Sequence, residues 1–201
     1  MTERQAEGEL VALVIATAEV EGGPLALERW GERSVLEHVL ETVRAAGIDR
    51  VVVVVGPAAE VVVERTEFDD AVIVIDPEWS EGPAASVRCA LDELTRTSAA
   101  RGALVVDVAQ PQMLAEVIEK VAAGWEESDA PAAIIKYRYA TGLPLVIHRD
   151  LWPRIMGLEG EATPEALLKA HAEWVQEVWV DSLAPRTITS ATALAMIAPR
   201  G

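Results

Sequence analysis

ELVALVIA (residues 9–16) begins the stretch that decides the fold, which continues through SVLEHVLETVRAAG (residues 34–47) to VVVVV (residues 51–55). The first and last runs are short and almost wholly apolar, which is typical of strands buried in a parallel sheet. The middle run has apolar residues at helical spacing, begins at a capping residue, Ser34, and ends at Gly47. The stretch therefore predicts a strand–helix–strand unit.

The same alternation continues along the chain. It predicts strands at residues 71–75, 103–106, 132–139, 145–148 and 175–180, and helices at residues 58–65, 84–97, 111–123, 164–172 and 191–197. Strands that alternate with helices of this length form right-handed crossover units and a mostly parallel sheet. Ligands of such sheets bind beyond the carboxyl ends of the strands. We therefore expect function in the loops after Ala16, Val55, Ile75 and Val106.

Length and composition fit one globular domain spanning residues 1–201, with residues 1–8 flexible. The apolar runs are far shorter than the roughly 20 residues of a membrane span, and the polar N-terminus has no apolar signal segment. A single cysteine, Cys89, cannot form an internal disulfide. We therefore expect a cytoplasmic protein without a membrane partner.

The formal net charge of −16 bears on possible partners. Nucleic acids are bound by clustered Lys and Arg, so we expect no nucleic-acid partner. A nucleoside triphosphate carries about four negative charges and needs local cations or a metal. The partners left open are a nucleotide or other small molecule, a protein partner, or a second copy of the chain.

Four segments resemble motifs of one known family. DPEWSEGPAASV (residues 76–87) resembles N-P-x-W-x-x-G-x-x-x-S-L, and ALVVDVAQP (residues 103–111) resembles a strand ending in D-Q-P. GLP (residues 142–144) stands where G-H-P is usual, and DLWPRIMGLEGE (residues 150–161) resembles L-W-P followed by L-x-G-D. In this order and spacing, the chain is similar to the MobA-like nucleotidyltransferases, especially their molybdenum-cofactor cytidylyltransferase branch.

The resemblance implies a three-layer, Rossmann-like α/β nucleotidyltransferase fold with a mostly parallel mixed sheet. Members of the family transfer a nucleotidyl group from CTP or GTP to a phosphorylated cofactor and use Mg²⁺ held by carboxylates. By the resemblance, the nucleotide-binding positions are Ala16, Thr17, Ala18, Gly82 and Ser86. At Ser86 a second interpretation is open, that of a helix N-cap.

The phosphate loop departs from the family pattern. The family reads A-A-G-x-S-x-R-M-G-x-P-K, whereas this chain reads ATAEVEGGPL at residues 16–25. Ala18 replaces the turn glycine, Leu25 replaces the lysine, and the arginine is missing. Glu19 and Glu21 stand where the triphosphate would lie, and a carboxylate repels a phosphate unless a metal intervenes.

The two metal-binding aspartates of the family pattern are also missing. The resemblance aligns them with Ala109 and Thr189. Asp107, two residues before Ala109, is our candidate replacement metal ligand, although a strand-end carboxylate can instead cap a nearby backbone group. Glu19 and Glu21 either join Asp107 at a metal or lie in a solvated loop. The cofactor is Mg²⁺ if the protein is active and is otherwise unassigned.

Three functional hypotheses follow. The first is a degenerate nucleotidyltransferase with weak or no transferase activity and a binding or accessory role. The second is an active nucleotidyltransferase with a rearranged metal site. The third is a small-ligand or redox protein that uses a crevice lined by Leu25, Leu143 and Ala109 without phosphate chemistry.

Overall fold

The computed structural model describes residues 8–199, so the expected flexibility of residues 1–8 lies, apart from Gly8, outside the described residues. A central sheet contains seven strands: β1 (Leu10–Ala16), β2 (Val51–Val55), β3 (Val72–Ile75), β4 (Gly102–Asp107), β5 (Ala132–Lys136), β6 (Thr141–His148) and β7 (Val175–Trp179). Their order is β7-β5-β6-β4-β1-β2-β3. Only β6 runs antiparallel to its neighbours, β4 and β5, among these strands. The sheet is therefore mixed and mostly parallel.

Seven α-helices accompany the sheet in the described part of the chain: α1 (Val35–Ala45), α2 (Ala59–Arg65), α3 (Pro83–Thr97), α4 (Ala115–Glu126), α5 (Trp152–Met156), α6 (Pro164–Ala170) and α7 (Ala191–Ile197). Helix α1 packs against α4, and α3 packs against α5. This is the three-layer α/β arrangement that the sequence resemblance predicts. None of the helices in residues 8–199 has the length and apolar character needed to cross a membrane.

The central strands are buried because helices cover them on both sides. Every residue of β2 is at most 4% exposed, and Val11–Ala16 of β1 are at most 6% exposed. The edge strand β3 is different, since its Val72 and Ile75 are 45% and 55% exposed. A continuous apolar run thus predicts a strand of this sheet, as expected, but does not by itself distinguish a central strand from the edge strand β3.

Helix α1 begins at the capping box that the sequence predicts. The Ser34 hydroxyl accepts a hydrogen bond from the Glu37 amide at 3.2 Å, and the Glu37 carboxylate accepts one from the Ser34 amide at 2.8 Å. These two bonds satisfy backbone donors that the first helical turn leaves free.

Some element boundaries differ from the predictions. Helix α4 begins at Ala115 rather than residue 111, because residues 110–113 form a turn closed by the Met113 amide on the Gln110 carbonyl at 3.0 Å. Strand β5 ends at Lys136, since the Tyr137 amide bonds the Ala140 carbonyl in a tight turn. Two short ribbons between β1 and α1 were not predicted, because two-residue strands leave no periodic pattern: Glu19–Val20 with Gly23–Pro24, and Arg29–Trp30 with Arg33–Ser34.

Candidate functional site

The carboxyl ends of β4, β1, β2 and β3 lie side by side, so the four loops that the sequence singles out meet at one edge of the sheet. Backbone bonds continue the sheet into these loops: the Val108 amide donates to the Ile15 carbonyl at 3.0 Å, and the Asp76 amide donates to the Val55 carbonyl at 2.9 Å. This edge forms the crevice at which such sheets bind ligands.

A buried polar network joins two of these loops to helix α3. The Ser86 hydroxyl lies 2.9 Å from Asp76 Oδ2 and 3.2 Å from Thr17 Oγ1, and Asp76 Oδ1 accepts from the Glu78 amide at 2.9 Å. Ser86 is 0% exposed and Asp76 is 2% exposed. A hydroxyl has one proton, so Ser86 donates it to the Asp76 carboxylate and accepts from Thr17. The network therefore connects the ends of β1 and β3 to helix α3.

The N-cap interpretation of Ser86 is wrong. The N-cap of α3 is Gly82, and Ser86 lies inside the first turn with its side chain on Asp76. Gly82 has φ +114° and packs against the backbone of Gly160. A Cβ at residue 82 would lie 2.5 Å from the Gly160 carbonyl oxygen. At both positions the geometry supplies a structural reason for the residue. A nucleotide contact at either one stays a prediction.

We expect Ser86→Ala to lower the free energy of unfolding by about 2 kcal/mol, because the buried Asp76 carboxylate loses a hydroxyl donor that has no replacement. Urea unfolding followed by circular dichroism measures this change. Ser80→Ala is the matched control, since Ser80 lies in the loop between Asp76 and α3 but is exposed. Equal unfolding midpoints for the two variants would contradict the role assigned to the network.

The loop after β1 is folded back on itself. Residues 19–20 pair with residues 23–24, and the Leu25 amide donates to the Ala18 carbonyl at 2.9 Å. Ala16 is buried at the strand end, whereas Thr17 and Ala18 are half-buried. The predicted nucleotide-binding positions Ala16, Thr17 and Ala18 thus directly precede a closed ribbon formed by residues 19–24.

The Glu21 carboxylate contacts the C-terminal helix. It accepts a hydrogen bond from the Ala191 amide, in the first turn of α7, at 2.9 Å, and this bond lowers the pKa of Glu21. Glu19 is exposed on the same ribbon. Among residues 8–199, no three His, Cys, Asp or Glu side chains are grouped so that they could hold a metal ion. The predicted cluster of Glu19, Glu21 and Asp107 is therefore not assembled here.

The apolar lining expected for the crevice is also not found. Leu25, Leu143 and Ala109 are 0%, 8% and 6% exposed, respectively, and belong to the hydrophobic core. The prediction that they line an open apolar pocket is wrong, because strands and turns pack over them. The hypothesis of a small-ligand or redox protein depended on this lining and loses its support.

Asp107 ends β4 and faces the crevice edge. Its Oδ1 accepts a hydrogen bond from the Ala109 amide at 2.7 Å, which is the capping role that the sequence left open beside metal binding. Burial raises the pKa of Asp107 to about 6, and the negative charge of Glu165 adds to the rise while the Ala109 bond opposes it. The carboxylate is mainly ionised at neutral pH.

The chain's C-terminal segment crosses the same edge of the sheet, which the sequence reasoning missed. The Ile188 amide donates to the Ala109 carbonyl at 2.7 Å, and Gln110 Nε2 donates to Thr187 Oγ1 at 3.3 Å. Gln110 Oε1 is buried without a hydrogen-bond partner. The sequence did contain one indication that this segment lies near the crevice, since the resemblance aligned a metal ligand of the family with Thr189.

Asp76 is a second site residue that the sequence analysis did not single out. Its position gave an indication, because Asp76 directly follows β3 in the same way that Asp107 ends β4.

The four crevice loops, residues 17–24, 56–58, 76–82 and 108–114, contain no Lys or Arg, although they contain five carboxylates. The nearest cation along α3 is Arg88, which bonds Glu78 at 3.1 Å and the Leu158 carbonyl at 3.3 Å. Its charge is therefore already compensated. The electrostatic environment at this edge disfavours an added polyanion.

Solved structures similar to this one include a nucleotidyl transferase. Rv0371c from Mycobacterium tuberculosis H37Rv superposes with a TM-score of 0.83 at 22% identity, covering 96% of this chain and 98% of that chain. A manganese complex of Rv0371c gives 0.76 at 21% identity, over 94% and 98% of the two chains. A nucleotidyl transferase from Methanothermobacter (Mth528) gives 0.73 at 19% identity, over 96% and 97%. No curated protein sequence matches this chain.

These likenesses define the class of the fold, a nucleotidyltransferase-type α/β fold. The sequence profile of the MobA-like NTP transferase domain matches residues 21–175, which is more than half of the chain. The chain therefore belongs to the MobA-like NTP transferase family.

Proposed function

We propose that this protein is a MobA-like family member with weak or no nucleotidyl transfer activity, which acts by binding as an accessory to molybdenum-cofactor chemistry. The observation that supports the proposal best is the ribbon after β1. It carries Glu19 and Glu21 and lacks the Arg and Lys of the family pattern, and Glu21 is bonded to α7. Transfer at phosphorus depends on cations and on a wrapped phosphate, and this ribbon supplies neither.

A resident divalent metal does not fit the described residues either. Mg²⁺ is usually held by one or two carboxylates together with substrate phosphates. Asp107 is available near Glu165, but the loops around it offer no cation to hold the phosphates. The manganese of the similar Rv0371c structure therefore has no assigned counterpart here. The partner that we propose is a protein, either an active relative or a cofactor-inserting enzyme.

We expect isothermal titration of the full chain with CTP or GTP, in Mg²⁺ or Mn²⁺, to give no micromolar binding. We likewise expect no pyrophosphate release when molybdenum cofactor is supplied as acceptor.

Repulsion by the carboxylates of the ribbon is the proposed cause of the weak nucleotide binding. The Glu19→Lys variant should therefore bind CTP about three- to tenfold more tightly than wild type. Glu32→Lys is the control, since it makes the same change in net charge at an exposed site of the other ribbon. Micromolar binding with pyrophosphate release by wild type would overturn the proposal.

A second candidate function is transfer through a rearranged site centred on Asp107. The observation in its favour is a carboxylate at the end of β4 whose pKa is raised to about 6 by burial and by Glu165. This alternative requires that Asp107→Ala abolish turnover while the circular dichroism spectrum stays unchanged. It fails if wild type shows no turnover with any of the four nucleoside triphosphates.

A further inference from the structure

The C-terminal strap, defined as residues 180–191, passes beside the carboxyl ends of three strands. After β7, the Arg138 amide bonds the Ser182 carbonyl at 3.0 Å, beside the end of β5. The Ile188 amide then bonds the Ala109 carbonyl, beside the end of β4. Finally, the Ala191 amide bonds Glu21 in the ribbon that follows β1. The strap therefore runs across the crevice edge from one side of the sheet to its centre.

The two ends of the strap are held differently. Val180 and Ile188 are each 3% exposed, and Leu194 of α7 is also 3% exposed, so apolar packing holds the strap and the helix on the core. The ribbon is itself held on the core by Val20, which is 8% exposed, but its tip is joined to the strap by a hydrogen bond to the exposed Glu21. A single exposed bond breaks far more readily than buried packing. The tip of the ribbon around Glu21 is therefore the part that can separate from α7 while Val20 and the rest of the fold keep their packing.

The backbone of the ribbon tip makes this contact possible. Gly22 and Gly23 have φ values of +110° and +145°, and a Cβ at either position would meet no atom within 4 Å. Glycine is thus needed for the conformation of the turn rather than for space. The turn presents Glu21 to a free amide of α7, while Ser190 caps the Ala193 amide at 3.1 Å. The Glu21 carboxylate and the Ser190 hydroxyl therefore each accept a hydrogen bond from one backbone amide in the first turn of α7.

We propose that the Glu21–Ala191 contact is an internal closing device, which holds the ribbon of residues 17–24 against the strap and shuts the crevice edge of β1 and β4. A ligand or partner that uses this edge displaces the Glu21 carboxylate from Ala191 and separates the ribbon from α7. This inference rests on the proposed function, in which the crevice is used for binding. It adds the regulation of that site, since binding competes with an internal contact.

Hydrogen exchange followed by mass spectrometry tests the device on the full chain without any nucleotide. In Glu21→Ala we expect exchange to rise about three- to tenfold in peptides covering residues 17–27 and 187–197, because the ribbon opens more often. Glu19→Ala is the matched control: it removes the same charge from the same ribbon, and its exchange should equal that of wild type. Glu21→Gln keeps an acceptor oxygen and should lie between wild type and Glu21→Ala.

Two outcomes would overturn the closing device. One is equal exchange in Glu21→Ala and Glu19→Ala. The other is a rise spread over β1 and β2, which would make Glu21 a support of the whole fold. Failure of the proposed function would be seen elsewhere, as pyrophosphate release by wild type. The two failures are therefore distinguishable.

Discussion

Replacing Gly82 by alanine is expected to lower the free energy of unfolding by about 2–6 kcal/mol. Gly82 has φ +114° and ψ 176°, a conformation that residues with a side chain rarely adopt. In addition, its Cβ would lie 2.5 Å from the Gly160 carbonyl oxygen and 2.8 Å from the carbonyl carbon. Both atoms are backbone, so neither can rotate away as a side chain would. The strain and the overlap therefore add.

Urea unfolding of Gly82→Ala beside Gly142→Ala measures this effect. Gly142 has no atom within 4 Å of its would-be Cβ, so its alanine variant should unfold within about 0.5 kcal/mol of wild type. If Gly82→Ala were as stable as Gly142→Ala, the loop after β3 and the turn at Gly160 would have to move apart at little cost in free energy. The expected result instead assigns Gly82 to the junction between the loop after β3 and the turn at Gly160.

The central fold was predictable because it depends on local pattern. The bounds of β2 agree with the run VVVVV. Charged residues before the five valines and Gly-Pro after them mark where the buried strand begins and ends. Helix α1 was similarly marked by its capping box and apolar face. The start of α4 was misplaced by four residues, because Pro111 is compatible both with a first helical turn and with the turn that is observed there.

The contacts of the candidate site were not predictable to the same degree. Sequence spacing identified the loops, but it did not show that Ser86 bonds Thr17 across 69 positions or that Glu21 bonds Ala191 across 170. Burial is decided by the same long-range packing. Leu25 was assigned to the crevice by alignment with a lysine, yet the ribbon turns it into the core, where it is 0% exposed. Apolar side chains that replace charged ones are free to take such positions.

Asp107→Asn is expected to raise the free energy of unfolding by about 2 kcal/mol at pH 7–8. The pKa of Asp107 is raised to about 6 in the folded protein, above the ordinary value of 3.8, chiefly by burial. The folded state therefore binds the proton more tightly than the unfolded state. As a result, the contribution of Asp107 to the free energy of unfolding of wild type falls as the pH rises from about 4 to about 6. Asparagine does not ionise, so the variant does not lose that stability. Its Oδ1 still accepts the Ala109 amide bond.

Urea unfolding of wild type and Asp107→Asn across pH 4–8 checks the sign as well as the size. The gap between the two curves should be smallest at pH 4, where Asp107 is protonated in the folded state and partly ionised in the unfolded state, and should reach its full size above pH 6. Glu165→Gln is the control, because removing its negative charge should lower the pKa of Asp107 and recover a smaller part of the gain. Lower stability of Asp107→Asn at pH 7 would show that the ionised carboxylate is well solvated or paired. The expected gain means that the chain keeps Asp107 at a cost in stability. Such a cost, at the end of β4 beside the crevice, is typical of residues retained for a site rather than for the fold.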